Sequence, residues 1–144
     1  MTVASETHRT RPLRFGLHTA LPRDDFGDFA VSGEQAGFDV LTIPDHLVAS
    51  VAPFAGAAAA CAATQRLHTG TLVLNNDFRH PVDVARETVT VAAISGGRFE
   101  LGLGAGHMKS EYDAAGIAFD SGGTRVDRLI ESVEVIRRLL AGEA

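Results

Sequence analysis

Gly37-Phe38-Asp39-Val40-Leu41-Thr42-Ile43-Pro44-Asp45-His46 is the stretch on which the fold turns. A glycine stops a helix, a short apolar run from Asp39 to Ile43 reads as a strand, a proline ends it, and two polar residues open a loop. Pro53 then begins an alanine-rich helix that ends near Thr64. The same unit of strand, polar loop and amphipathic helix occurs four times between Leu13 and Gly142. Upstream, Leu13–Leu17 is the first strand. Asp24 or Asp25 caps a helix carrying Phe26, Phe29, Ala30, Gly33 and Ala36. Gly33 in mid-helix costs about 1 kcal/mol against alanine, which makes this the weakest of the four helices.

Downstream, Leu67–Leu74 forms the third strand, closed by the turn residues Asn75-Asn76-Asp77. Pro81 suits the first position of the next helix, which presents Val82, Ala85, Val89 and Ala92 and ends at Ser95-Gly96-Gly97. The fourth strand spans Arg98–Leu103. A long loop follows, with a short helical piece over Lys109–Ala115. Thr124 is then expected to cap a final helix whose stripe is Val126, Leu129, Val133, Ile136 and Leu140. Strand–helix alternation builds a parallel sheet with helices outside it. The fold class is therefore α/β, a parallel (βα)4 half of an eight-unit β/α barrel. Its 144 residues make one domain, short of the roughly 250 typical of a closed barrel. Residues 13–144 are expected to form that domain, behind a loose tail over 1–12.

Composition narrows the function. With 13 Lys and Arg against 18 Asp and Glu, the formal charge is −5, which disfavours nucleic acid, whose binding is led by cations on phosphates. The tail has Arg9 and Arg11 but no apolar run, so it is no secretory signal. Phe54–Ala63 is too short to cross a bilayer. A cytoplasmic protein that binds neither membrane nor nucleic acid is expected. The lone Cys61 reads as a packed core thiol, with a nucleophile as the other reading.

In such folds chemistry sits just past the carboxyl ends of the strands. Three of the four ends are polar: Pro44-Asp45-His46, then Asn75 to Pro81, then Gly102-Leu103-Gly104-Ala105-Gly106-His107 with Ser110, Glu111 and Tyr112 beyond. His46 beside Asp45 reads either as a proton shuttle or as a pair that caps the next segment. His107 and Glu111, four apart, would adjoin on a helix, but spacing places no third metal ligand. The glycines at 102, 104 and 106 do not make a dinucleotide fingerprint, because its third glycine would fall on His107. They read either as a tight turn or as room for a flat ring to approach the backbone.

Taken in order, several segments resemble the luciferase-like superfamily of flavin and deazaflavin oxidoreductases, most closely its coenzyme F420-dependent branch. They are Phe38-Asp39-Val40-Leu41, Pro44-Asp45-His46-Leu47, Gly70-Thr71-Leu72-Val73-Leu74-Asn75, Phe78-Arg79-His80-Pro81 and Gly97–Gly106. The resemblance runs from about Leu13 to Ala141. It implies a β/α barrel that binds F420, or alternatively FMN, across the strand ends and transfers a hydride to or from a small organic substrate. It makes His46 the acid/base, with His107 in a second such position. Asp45, Asn75, Ala105, Gly106 and Ser110 become cofactor contacts, and Leu72-Val73 the site of a non-proline cis peptide behind the ring. No metal is implied.

Members of that superfamily have eight units. A half-sheet leaves two edge strands that invite pairing, so the active form is expected to be a homodimer or a complex with a complementing second half-barrel chain. The other reading is a truncated, non-catalytic half-barrel that serves as a folding or interaction module.

Overall fold

The computed structural model describes residues 12–47 and 50–143. The expected tail, apart from Pro12, lies outside the described residues. Four strand–helix units follow one another: β1 (Gly16–His18) and α1 (Phe26–Gln35), then β2 (Val40–Ile43) and α2 (Pro53–Ala63). Next come β3 (His68–Thr71) with its continuation β4 (Leu74–Asn75) and α3 (Pro81–Ser95). The last unit is β5 (Phe99–Glu100) with its continuation β6 (Leu103–Gly104), α4 (Lys109–Ala115) and α5 (Gly122–Leu140). Every pairing is parallel. One sheet has the order β1-β2-β3-β5, and β4 pairs with β6 beyond it. The chain is thus a parallel (βα)4 half of a β/α barrel.

Leu41 and Ile43 of β2 are fully buried, in one apolar cluster with Ala57 and Ala60 of α2 and Ala30 of α1. Small residues on α2 let it lie close to the sheet. Gly33 serves the same purpose in α1: a Cβ there would come within 2.5 Å of Leu17 Cδ1, so its helix-propensity cost is exchanged for close packing on β1. Cys61 is 2% exposed, its Sγ 2.9 Å from Thr69 Oγ1, as the core-thiol reading expects. Arg98 closes the carboxyl end of α2, donating to the carbonyls of Cys61 (2.9 Å), Thr64 (3.2 Å) and Leu67 (2.7 Å). Along the strands, alternation places His18, Thr42, Gly70 and Glu100 on the face away from the helices, in one register row. No helix among the described residues is long and apolar enough to cross a membrane.

Several local expectations need correcting. The third strand is not continuous: it breaks at Leu72 and Val73, whose connecting peptide is cis, as the resemblance implies. The fourth breaks likewise between Glu100 and Leu103, and the first is shorter and shifted, Gly16–His18. The cap of α5 is Ser121, whose Oγ accepts from Thr124 N at 3.2 Å, so Thr124 lies inside the helix. Asp25 stands at the cap of α1, but its carboxylate is held by Arg23 and makes no capping bond. In α3 the buried residues are Val84, Ala85, Val91 and Ser95, whereas Val82 and Val89 are exposed. Apolar residues lie on two faces of that helix, and its packing against α2 and α5 selects one of them. On α5, Ile136 is buried and Leu139 packs on the core, while Val126 and Leu140 are exposed.

Candidate active site

The carboxyl ends of β2, β4 and β6 meet at one mouth. Pro44, Asp45, His46, Leu72, Val73, Asn75, Gly106, His107 and Glu111 line a cavity of about 160 Å³ there. That is smaller than the roughly 300–1,000 Å³ of a complete small-molecule pocket, so these residues form one wall and floor. A larger hollow, about 430 Å³, lies at the other end of the strands beside Arg14, Glu34, Asp39 and His68. Its carboxylates are occupied by structural work. Glu34 accepts from the amides of Gln65, Arg66 and Leu67, and Asp39 accepts from Phe15 N. The polar loop ends singled out in the sequence gather at the smaller cavity.

Asp45 follows Pro44 directly and its side chain is 2% exposed. Its Oδ2 accepts from Asn75 N (2.9 Å) and from Arg79 Nη1, and its Oδ1 accepts from Arg79 Nη2 at 3.0 Å. The carboxylate therefore ties the loop after β2 to the loop after β4, through a two-pronged arginine contact. Arg79 lies just past a single 3₁₀ turn, Asn76–Phe78. Beside Asp45, His46 Nδ1 sits 3.0 Å from Glu111 Oε1, and Leu47 N donates to the same oxygen at 3.2 Å. The ring of His107 stands edge-on to that of His46, with centroids 6.4 Å apart. Such a set can hold and move a proton at the mouth.

Leu72 and Val73 are 57% and 42% exposed, an apolar step at the end of the sheet. Asn75 is buried, and its Oδ1 accepts from Asp77 N at 3.1 Å. Gly106 has φ +74°, and a Cβ on it would lie 2.0 Å from Tyr112 Oη and 2.8 Å from Asn75 Oδ1. The glycine is thus required by side chains packed behind it as well as by its backbone conformation. The Tyr112 hydroxyl lies 2.9 Å from Asp77 Oδ2 and 3.1 Å from Asn75 Oδ1, donating to one at a time. Arg128 of α5 grips Asp77 with Nε and Nη2, both at 3.0 Å, and Asp120 with Nη1 at 2.7 Å. This network anchors the floor of the mouth to the last helix.

Burial, and then the bond to Asp77, push the Tyr112 phenol above its ordinary value of 10.0. The folded chain favours the neutral ring, so this contribution is fully present below the ordinary value and is lost as pH rises through the raised one. Tyr112 is the only tyrosine and there is no tryptophan, so ultraviolet absorbance reads it alone. Phenolate is expected to appear at higher pH than in free tyrosine and together with loss of ellipticity. An ordinary tyrosine titration of the folded chain would contradict this network.

Seven of the nine residues singled out in the sequence line the cavity. Ala105 stands just outside, its carbonyl accepting from Arg125 Nε at 3.3 Å, and Ser110 is exposed on α4. Glu111 turns to His46 and not to His107, and among the described residues no group of three metal-ligating side chains occurs. Sequence reasoning missed Glu111 as the partner of His46, Arg79 as the partner of Asp45, and the Tyr112–Asp77–Arg128 network. Arg79 had a visible signal, its place in Phe78-Arg79-His80-Pro81. The others depend on contacts across 51 and 65 positions of chain.

The chain is 34% identical to an F420-dependent glucose-6-phosphate dehydrogenase of Microbacterium testaceum, over 93% of its own length and 43% of that protein's. Among solved structures it superposes on the coenzyme F420-dependent tetrahydromethanopterin reductase of Methanopyrus kandleri with a TM-score of 0.75 at 27% identity, covering 89% of this chain and 40% of that one. The oxygenating constituent of 3,6-diketocamphane monooxygenase from Pseudomonas putida, solved with FMN, shares the fold at a TM-score of 0.74 and 23% identity, covering 88% and 39%. The chain thus spans about 43% of the length of the Microbacterium relative. Residues 7–144 match the luciferase-like monooxygenase family as a whole, and to that family the chain belongs.

Proposed function

We propose that this chain carries the acid–base and ring-binding half of an oxidoreductase site that transfers a hydride between coenzyme F420, with FMN as the alternative, and a small organic substrate. The observation that carries this reading is the convergence of His46, the apolar Leu72–Val73 step, Asn75 and the Gly106 backbone on one mouth. These residues fit a flat, polar-edged ring. The exposed step suits its face, while the Asn75 carboxamide and the backbone near Gly106 suit its edge. Asp45, Leu72, Val73, Asn75 and Gly106, which line the cavity, would hold the cofactor, and the cofactor when bound supplies the hydride chemistry; Ala105 and Ser110 lie outside that lining. His46 gives or takes the proton that accompanies the hydride, and His107 is the second proton-handling group. A cytoplasmic setting is part of this reading.

The cavity's remaining wall must come from elsewhere. The edges at β1 and at β5 pair with no further strand among the described residues, and the face bearing His18 and Glu100 is open to solvent. We infer that a second copy of this chain, or a complementing second half-barrel, closes the mouth.

Equilibrium titration with F420 and with FMN tests the reading, alongside gel filtration. Saturable binding, tighter for F420, and a species larger than the monomer are expected. Glucose 6-phosphate is the first donor to try, given the activity named for the Microbacterium relative. A folded chain that binds neither cofactor would overturn the proposal and leave a folding or interaction module.

A further inference from the structure

We propose that Glu111 is the positioning residue of His46: it fixes the imidazole with its proton on Nδ1, so that Nε2 is left with a free lone pair. The oxygen Oε1 of Glu111 meets two donors from adjacent residues, His46 Nδ1 at 3.0 Å and Leu47 N at 3.2 Å. An ionised carboxylate only accepts, so a contact of this length with a neutral imidazole requires the hydrogen on Nδ1. The Glu111 side chain is 10% exposed, which leaves water little room to compete.

Among the described residues no other acid near His46 can take this role. Both oxygens of Asp45, the sequence neighbour, are engaged by Arg79 and Asn75 N. His107 stands with its ring centroid 6.4 Å away. Among the described residues no protein group is hydrogen-bonded to His46 Nε2, which lies across the ring from Glu111. The bond to Leu47 N adds a second restraint. Glu111 holds the backbone just after His46 as well as the ring, so it sets both where the imidazole sits and which nitrogen is bare. This deepens the acid–base reading of His46 and rests on that reading for its consequence in turnover, while the tautomer itself can be read without any cofactor.

The test is long-range proton–nitrogen NMR on the full chain with labelled histidine, at about pH 8, above the ordinary imidazole value of ~6.5. His46 is expected to show a protonated Nδ1 and a bare Nε2. In Glu111→Gln the amide oxygen can still accept, so the single tautomer is retained. In Glu111→Leu it is lost to a mixture. Where turnover is measurable, Glu111→Gln is expected to lower kcat and leave KM for the donor unchanged, because the charge facing the imidazolium is gone. A proton on Nε2 in the unaltered chain would overturn the assignment, and that result does not depend on either variant folding. An unchanged tautomer in a folded Glu111→Leu variant would overturn it equally. Failure to bind F420 or FMN with the Nδ1 tautomer intact would strike the cofactor reading and spare the role of Glu111.

Discussion

His46→Ala is expected to lower turnover by about 10²–10⁴-fold, the usual contribution of a positioned general acid or base, while F420 affinity stays as it was. The ring sits at the mouth, half-buried, with Nδ1 anchored on Glu111, and the bulk of the proposed ring contact lies elsewhere, on Leu72, Val73 and Asn75. Binding and proton transfer should therefore separate. Steady-state rates with F420 and a donor, beside a binding titration of the same variant, give both quantities. A His46→Ala variant that keeps its rate would remove the acid–base role. One that loses cofactor binding along with its rate would show instead that the imidazole is part of the ring's seat.

The largest expected effect on stability falls on Arg79. Arg79→Met leaves the Asp45 carboxylate, 2% exposed, with the amide of Asn75 as its remaining donor. Breaking a buried pair by removing one partner costs about 3–5 kcal/mol. The Arg79 side chain is itself a quarter exposed, so the lower end, about 3 kcal/mol, is expected here. The double variant Asp45→Asn, Arg79→Met should lose less, because no uncompensated charge is then buried. Urea unfolding of the two variants makes the comparison. If the single variant proves as stable as the double, the pair is not what fastens the β2 loop to the β4 loop.

The order of strands and helices, and the polar loops at one end, were legible because both rest on local patterns: apolar periods, proline and glycine stops, and the rule that parallel strands point the same way. Where the pattern is ambiguous, structure and sequence pattern part. Val82 and Val84 lie on different faces of α3 with equal apolar claim, and only neighbouring helices settle which is buried. Leu67 to Leu74 reads as one strand since nothing local marks the break at Leu72–Val73. Ser121 and Thr124 are both good capping residues, and the bond from Thr124 N to Ser121 decides between them. At the site, the mouth was foreseeable but its wiring was not. Glu111 is four residues from His107 in sequence, which suggests a pair on one helical face, yet tertiary packing brings its carboxylate to His46.

That a planar redox ring lies across Asp45, Asn75 and the turn at Gly106 is best tested by NMR on the labelled chain as oxidised F420 is added. Resonances of Asp45, His46, Leu72–Asn75 and Gly104–His107 are expected to shift together and to saturate together. Shifts confined to Arg14, Glu34 and His68, at the opposite ends of the strands, would contradict the account.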